Sequence, residues 1–501
     1  MSKIRKPYPK KIFFLLFLIP ILYFISTYWI EKKIDKTLTE KFLKSGISLK
    51  TKSSVSLLFG DVSLSDVEIK KDSFYFKSKS LDIKGFSYYD AIVNNTFSVS
   101  NVKLIAAKIS GKTNDTLFTN LFKKDSTASK KMYIKVKSFE ILNGTLNITD
   151  AKENDFSIEE INLKVNDFLF ENRTDKIPFS YNKIFFQVHS LERKISEVQQ
   201  LKIENILLQD STISIHKLLL EPIKSRKNYI YNVTKEKELM DINVDSLKIE
   251  NFHVEKTDSL IFNAEAINIT NANIDLYLDK TRFSKSKKNK NLYSKTLREL
   301  PFLLNIDQIN IKDSKLTYEE LLKRENKPGV LIFDDLNVEI KNINNRKNNK
   351  TKVTTTIHTE FMGNSPLHVL YDFNIHDVQD KFRIRGSLKN VTSKNMSSYI
   401  SPAMNVTLNG FINRMDFDFE GNNWTSNGKF DVMFKDFKVE ILRKKKKKNR
   451  LLSWFANLLI KDTSKNGLIA VEVSNVKRDQ TKSFWSFFWK NIEKGLEKSL
   501  L

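Results

Sequence analysis

The sequence contains no cysteine and little glycine or proline, and each shortage excludes a class of protein. Its 501 residues include 13 glycines and 9 prolines, far below the usual shares of ~7% and ~5%. Collagen-like chains and low-complexity disordered chains are therefore excluded. Without cysteine there are no disulfides, no thiolate metal ligands and no cysteine nucleophile.

Long apolar segments are also scarce. Charged residues make up 29% of the chain and hydrophobic residues 40%, which is typical of a solvated body rather than a polytopic membrane protein. The chain has 84 Lys and Arg residues and 59 Asp and Glu residues, which gives a net charge of +25. The length corresponds to about three globular domains or to one elongated array.

One uncharged run, residues 12–30, is long enough to cross a membrane as a helix. Basic residues and no acids precede it in residues 1–11, and Tyr23, Tyr28 and Trp29 fit an aromatic belt. A cleaved signal peptide is the alternative, but no small-x-small cleavage site follows the run. We predict a cytoplasmic tail at 1–11 and a transmembrane signal anchor at 12–30, with the rest of the chain in the periplasm.

After residue 45 the dominant pattern alternates apolar and polar residues, which is typical of strands with one wet face. The pattern predicts a mainly β fold, with an antiparallel sheet of one apolar face. Residues 31–45, 115–124, 292–300 and 317–325 are the best candidates for short helices. Residues that we expect on the apolar face are Ile161, Leu163, Val165, Ile309, Ile311, Leu336, Val338, Ile340, Phe437, Val439 and Ile441.

A ten-residue unit recurs, in which a small or polar pair interrupts two alternating stretches and predicts a turn or a bulge. Copies begin at Val102, Phe139, Ile206, Ile267 and Ile309. Two of them are followed by a further matching strand, at Phe156 and at Leu331, so a larger unit is duplicated about 170 residues apart.

The predicted helices are too few to cover the apolar face. A sheet with such a face needs helices, a second sheet or an external molecule against it. One solution is a closed sandwich or barrel. The other is an elongated, curved sheet whose open apolar groove holds acyl chains.

The chain resembles the AsmA-like envelope proteins in their small Bacteroidota-type form. The resemblance rests on the anchor, on the NGTLNI and DSKLTY strand repeats, on the glycine-punctuated segment from Gly386 to Leu442, and on the tail after Asn457. It implies a repeating β-groove that takes part in moving phospholipid between the membranes of a Gram-negative cell. The expected domains are a linker helix at 31–45, a groove body at 46–365, a C-terminal β module at 366–442, and a basic run with amphipathic helices at 443–501.

No motif in the sequence requires an enzyme. The six histidines have no metal-ligand spacing, and no nucleotide, hydrolase or paired-carboxylate signature is present. Asp416, Asp418 and Glu420 alternate along one strand, where a polar outer face is a simpler interpretation than calcium binding. We therefore predict no catalytic residue, no metal and no cofactor.

The C-terminal segment combines basic and aromatic residues. The run RKKKKKNR precedes LLSWFANLLI, a composition typical of an interfacial membrane helix; a solvated loop before a packed helix is the alternative, and nucleic acid is not expected. The aromatic segment 484–489 predicts either a second interfacial helix or a plug at the end of the sheet. Candidate membrane-surface residues are Arg443, Lys444, Lys445, Lys446, Lys447, Lys448, Arg450, Trp454, Phe455, Trp485 and Trp489.

The sequence thus favours a periplasmic protein anchored in the inner membrane, which binds acyl chains and assists phospholipid transfer or outer-membrane biogenesis. Its expected partners are phospholipid, the inner membrane and an envelope protein. The alternative is a non-enzymatic structural or assembly factor of the envelope that binds protein. A surface β-solenoid adhesin is disfavoured by the low glycine content.

Overall fold

A computed structural model describes residues 23–33, 35–36, 40, 47–113, 133–171, 179–283, 288–347, 349–404, 406–441 and 468–500. The fold is mainly β with few helices, as predicted. Two compact units make up the chain: unit 1 contains residues 1–193 and 205–210, and unit 2 contains residues 194–204 and 211–501.

Unit 1 is a sheet with the short helix α1 and an N-terminal helical segment at 23–33. Its elements are β1 (Ser48–Ser56), β2 (Asp61–Lys71), β3 (Phe74–Lys84), α1 (Tyr88–Val93), β4 (Thr96–Ile105), β5 (Lys108–Lys112), β6 (Tyr133–Thr149), β7 (Asp155–Glu171), β8 (Phe179–Ser180) and most of β9 (Lys183–Ser196). Successive strands pair antiparallel from β1 to β4, whereas β4 and β5 both pair parallel to β6. β6 pairs antiparallel with β7, and β7 with both β8 and β9.

Unit 2 contains the remaining elements. They are β10 (Gln199–Gln209, shared with unit 1), β11 (Thr212–Pro222), a 3-10 turn (Tyr229–Tyr231), β12 (Leu239–Glu250), β13 (His253–Lys256), β14 (Leu260–Asp279), α2 (Tyr293–Arg298), β15 (Leu303–Leu321), β16 (Gly329–Asn344), β17 (Val353–Phe361), β18 (Ser365–Phe373), β19 (Phe382–Thr392), α3 (Ser393–Met404), β20 (Val406–Gly421), β21 (Thr425–Ile441), β22 (Ile469–Lys477) and α4 (Phe484–Leu500). β11 pairs with β12, and both β12 and β13 pair with β14. From β15 to β22 each strand pairs antiparallel with the next.

The prediction of a purely antiparallel sheet is wrong, because each unit contains a parallel pairing. β4 and β5 run parallel to β6, and β14 runs parallel to β15. Parallel neighbours need a crossover of a dozen or more residues. β5 ends at Lys112 and β6 begins at Tyr133, while β14 ends at Asp279 and β15 begins at Leu303 with α2 between them, so that both intervals are long enough.

The recurrent ten-residue unit encodes a bulged strand. In β6 the register shifts on both sides of Gly144, and in β15 it shifts on both sides of Ser314, 170 residues further on. Asn143 and Asp313 precede these positions with φ of 54° and 50°, a conformation that Asn and Asp tolerate well. Because the extra residue compensates the break in alternation, apolar side chains on both sides of the bulge stay on one face. The predicted duplication is therefore confirmed in the pairing register.

The copies at Val102 and Ile206 are interrupted in other ways. At Val102 the interrupting pair, Ala106 and Ala107, separates β4 from β5, and both strands continue along β6. At Ile206 the equivalent pair lies between the end of β10 and the start of β11, so that this copy is a turn.

A closed apolar core lies in the C-terminal part of unit 2. It is formed by the inner faces of β17 to β22 together with α2, α3 and α4, and its most buried members include Phe419, Phe430 and Ile384. Phe417 and Phe419 point into it, away from Asp416 and Asp418. The polar outer face predicted for this strand is confirmed.

Helix α4 covers this core. Phe484, Phe487 and Ile492 are buried against the sheet, and Gly495 lies so close to the Phe430 ring that an added Cβ would be 2.4 Å from its Cγ. Glycine therefore lets the helix pack directly on the strands. Of the two alternatives for the aromatic segment, the structure favours the one in which it covers the sheet.

Helix predictions outside the C-terminal region had mixed outcomes. α2 falls within the predicted helix 292–300, whereas 317–325 is wrong because Thr317–Leu321 belongs to β15. Residues 31–33, 35–36 and 40 of the predicted linker helix are helical, and 115–124 lies outside the described residues. Residues 23–30 are helical too, but the rest of the predicted anchor lies outside the described residues. In the part of the chain that the structure describes, no helix is both long and apolar enough to span a membrane.

Candidate functional site

Unit 1 presents a continuous apolar surface across its strands. Directly paired residues carry their side chains on the same face, and the register joins the apolar residues of β1 to β7 and β9 into rows. We call these rows the unit 1 stripe. The first row is Val55, Val62, Ile83, Val102, Phe139, Val165 and Ile184; the second is Leu64, Leu81, Leu104, Ile141, Leu163 and Phe186; the third is Leu49, Ile69, Phe76, Ile109, Leu146, Ile158 and Leu191.

Most of the unit 1 stripe is half-buried. Leu49, Ile158 and Val165 are buried, and the other members of the three rows retain partial contact with solvent. The two clusters of buried apolar side chains found among the described residues both belong to unit 2. The stripe therefore lacks the packing of a closed core, and an apolar surface of this extent is typical of a binding surface.

Unit 2 carries an equivalent surface on β11 to β17, which we call the unit 2 stripe. Its first row is Ile213, Ile249, Ile267, Ile309 and Ile340; its second is Ile215, Leu247, Ile269, Ile311, Val338 and Ile357; its third is Leu220, Ile242, Ile274, Leu316, Phe333 and Phe361. All of these side chains are half-buried. Isoleucine dominates the first two rows, which suits a pleated, half-buried surface.

The unit 2 stripe continues into the closed core. Ile357 pairs with Val369, which is buried, and Val369 pairs with Gly386 and through it with Phe417. Helix α3 packs on β16, β19 and β20 at this side. Burial raises the pKa of Tyr399 on α3 to about 12. At its β15 to β17 end the unit 2 stripe therefore meets the closed core, against which Ile309, Ile340 and Ile357 pack.

The opposite sheet face is polar and charged. Lys103, Glu140 and Lys164 form one cross-strand row in unit 1, and the Glu140 carboxylate lies 4.0 Å and 3.0 Å from the two ammonium groups. In unit 2 the Asn310 amide donates to the Asn268 side chain over 2.8 Å. The two faces therefore differ as the alternation predicts.

The residues predicted for the apolar groove fall into two stripes. Ile161, Leu163 and Val165 lie on β7 in unit 1, where Ile161 is opposite the bulge residue Gly144. The pairs Ile309 with Ile340 and Ile311 with Val338 are directly opposed in unit 2.

Leu336 lies beside these pairs in unit 2, opposite the bulge residue Ser314, and is buried. Phe437, Val439 and Ile441 lie on β21, but the structure does not describe their side chains.

Sequence reasoning missed much of each stripe. β2, β3 and β4 contribute Leu64, Leu81 and Leu104, and β11 and β12 contribute Ile215 and Leu247. The alternation in these strands carried the necessary signal. Their alignment into rows depends on the pairing register, which alternation alone does not specify.

The predicted membrane-surface residues are only partly described. Arg443 to Arg450, Trp454 and Phe455 lie outside the described residues. Trp485 and Trp489 project from α4 with 48% and 39% of their surface exposed. They lie on the outside of a helix whose other face is buried in the core.

The described residues contain no group of three or more side chains suited to hold a metal ion. Asp418 receives two hydrogen bonds from the Arg383 guanidinium, at 2.8 Å and 2.5 Å, which lower its pKa. Arg414 donates a single hydrogen bond from Nε to the Asp416 carboxylate. Two of the three carboxylates considered for calcium, Asp416 and Asp418, are thus paired with arginines.

A surface cavity of about 360 Å³ lies beside β11, β12 and β14 in unit 2. Asp241 and Asp275 face each other across the strands at its wall, and burial, followed by repulsion from Asp275, raises the pKa of Asp241. Arg226 lines the cavity too, but its guanidinium is bonded to Glu319. This polar cavity differs in chemistry from both stripes.

His358 and His368 form a stacked cross-strand pair, with ring centroids 4.4 Å apart. Burial, and then repulsion from His358, lowers the pKa of His368. A histidine whose folded pKa is depressed contributes stability above its unfolded pKa of about 6.5, and that contribution is lost as the pH falls through the folded value.

We therefore expect stability to drop on acidification below about pH 6.5, and a His368→Gln variant to lose part of that dependence. Urea midpoints measured between neutral and mildly acidic pH check this. Identical pH profiles for the variant and the native chain would contradict it. His253, which is exposed at the end of its strand, provides the control as His253→Gln.

No family model matches the chain, and no curated protein matches it.

Proposed function

We propose that the two stripes bind the acyl chains of phospholipids, and that the chain is a non-enzymatic lipid-binding or lipid-transfer protein of the inner membrane with its body in the periplasm. The observation that carries this proposal is the set of continuous, half-buried apolar rows in both units. The proposal includes the open β-groove and the AsmA-like resemblance that the sequence suggests.

The dimensions of the rows support the proposal. Seven strands at ~4.8 Å spacing give a row about 29 Å long, whereas the acyl region of one leaflet is about 15 Å thick. An extended acyl chain therefore fits along a single row. Each methylene removed from water contributes ~0.8 kcal/mol, so that partial burial along a row gives useful affinity without a closed cavity.

The chemistry of the stripes also favours lipid over a soluble ligand. The rows consist of Val, Leu, Ile and Phe and contain no charged side chain. Nothing in them orients a polar substrate, whereas small-molecule sites carry placed polar groups. Acyl chains need no such groups.

A variant that lacks residues 1–30 is expected to remain soluble and to purify with bound phospholipid, because the stripes rather than the predicted anchor supply the binding surface. The deletion leaves Glu31 in place, whose carboxylate accepts a hydrogen bond from the Val55 amide over 2.7 Å. Lipid extraction followed by mass spectrometry measures the lipid, with a mock purification as control. A stable, lipid-free protein would instead favour an envelope scaffold that binds protein.

A further inference from the structure

Exposed apolar side chains gather at one end of unit 1. Leu58 and Phe59 in the turn between β1 and β2 are 75% and 67% exposed, and Tyr89, Ile92 and Val93 on α1 are 66%, 82% and 60% exposed. We call these five residues the tip. Single exposed apolar residues are ordinary, but a contiguous group marks an interaction surface.

The scaffold of the tip is fixed by hydrogen bonds. The Phe86 amide donates to the Gly60 carbonyl over 3.0 Å, and the Tyr88 hydroxyl donates to the Leu57 carbonyl over 3.0 Å. Gly60 has φ of 66°, and a Cβ there would lie 2.7 Å from the Phe86 carbonyl oxygen. The turn and α1 are thus joined, and their apolar side chains are held outward.

The N-terminal helical segment arrives beside the tip. The Tyr23 hydroxyl lies 3.1 Å from the hydroxyl of Ser56, the last residue of β1. Further along the helix, Glu31 binds the backbone amide of Val55 and accepts from Ser53. Tyr23, the first described residue of this helix, is thus hydrogen-bonded to the end of the strand that leads into the tip. In the sequence, the uncharged residues 12–22 directly precede it.

The same helix exposes aromatic residues with nearby lysines. Tyr28 and Trp29 are 58% and 63% exposed, and the ammonium groups of Lys32 and Lys33 lie 4.9 Å and 5.0 Å from their ring centroids. Aromatic rings with adjacent lysines are the side chains that settle at a membrane interface. The helix and the tip thus offer interfacial chemistry on one side of unit 1.

We infer that the tip inserts into the surface of the phospholipid bilayer that holds residues 12–30. The inference rests on the proposed function, and it adds the contact by which lipid reaches the unit 1 stripe. Val55 and Val62, the first members of the first row, flank the turn that carries Leu58 and Phe59. An acyl chain that leaves the bilayer at the tip meets Val55 and Val62 directly beyond the Ser56 and Asp61 pair that closes the turn.

The absence of native cysteine makes a direct test available, because each introduced cysteine is unique. Full-length Phe59→Cys and Ile92→Cys proteins are labelled with an environment-sensitive nitrobenzoxadiazole dye. They are reconstituted into vesicles of phosphatidylethanolamine and phosphatidylglycerol, with or without brominated phosphatidylcholine. Ser73→Cys is the control, since it lies in the turn at the other end of β2, about 36 Å away along an eleven-residue strand.

We expect dyes at 59 and 92 to be blue-shifted and quenched several-fold more by brominated lipid than the dye at 73. Equal, weak quenching at all three positions would overturn the inference. A blue shift without quenching would also overturn it, because it would show that protein, such as a second copy of the chain, covers the tip.

A failure of this inference is distinguishable from a failure of the proposed function. Lipid that purifies with the variant lacking residues 1–30, together with unquenched dyes, would contradict the bilayer contact alone. Quenched dyes with a lipid-free variant would contradict the lipid-binding stripes alone.

Discussion

Introducing one aspartate into each stripe is expected to remove most of the bound lipid and to leave the protein folded. In Leu146→Asp/Ile269→Asp, a carboxylate replaces a half-buried apolar side chain in each unit. A charge beneath an acyl chain is strongly disfavoured, and each ~1.4 kcal/mol of lost affinity lowers binding tenfold. We therefore expect at least a tenfold loss of retained lipid by extraction and mass spectrometry.

Without lipid, the new carboxylates still reach water, so the cost in stability should stay below about 1.5 kcal/mol. The matched control is Asn147→Asp/Asn268→Asp, which places the same charge on the adjacent residue of each strand, on the polar face. Asn268 accepts a hydrogen bond from Asn310, and aspartate keeps that acceptor. A folded stripe variant with its full lipid content would contradict the proposal, and a variant that fails to accumulate would indicate a closed core.

The second large effect concerns a buried ion pair in unit 2. Arg298 on α2 donates to the Asp380 carboxylate over 2.8 Å and to the backbone carbonyls of Ile375 and Asp377. Asp380 is 3% exposed and also accepts from Ser294. Removing the guanidinium leaves a buried carboxylate without its counter-ion, which costs about 3–5 kcal/mol. We therefore expect Arg298→Met to lower the urea midpoint of unit 2 strongly.

Lys295→Met on the same helix is the control. Its exposed pair with Glu299, at 3.6 Å, contributes about 0.3–0.5 kcal/mol. Trp424, Trp485 and Trp489 lie in unit 2, and in a Trp29→Phe background, which removes the tryptophan of unit 1, the fluorescence follows the unfolding of unit 2. Equal midpoints for the two variants would show that the buried network adds nothing beyond a surface pair.

Alternation and the ten-residue repeat predicted the strands well, because both describe single strands. In the copy at Phe139 the interrupting pair marks the bulge that keeps Ile141 and Leu146 on one face. The parallel neighbours could not be predicted in the same way. β14 and β15 meet only after a crossover, and nothing local in either strand specifies the direction of its partner.

One helix was predicted wrongly and another was missed. Residues 317–325 look helical, yet Thr317 and Tyr318 pair with Ile332 and Leu331 on β16, so that sheet pairing overrides helix propensity. Helix α3 was missed, although Thr392 gives a local signal: its hydroxyl accepts from the Asn395 amide over 3.2 Å, as an N-terminal capping residue does.

The sequence predicted which side chains share an apolar strand face, but not where in the fold that face lies. Leu163 and Val338 were assigned to one apolar face, and the register places them in two stripes that belong to separate units. The sequence left open whether the aromatic segment covers the sheet or lies at a membrane, since its contacts include Phe484 with Tyr371 and Phe487 with Phe382, which are far apart in the chain. The exposed tip residues carried no periodic signal at all.

The most direct test of the central claim is site-specific photo-crosslinking in living cells. A benzophenone amino acid replaces Leu146 or Ile269 within the stripes, and Asn147 or Asn268 on the opposite face of the same strands. Mass spectrometry of the purified proteins then measures phospholipid adducts. The proposed function predicts adducts at Leu146 and Ile269 and none above background at the two asparagines. Equal labelling of both faces, or no phospholipid on the stripes, would contradict it.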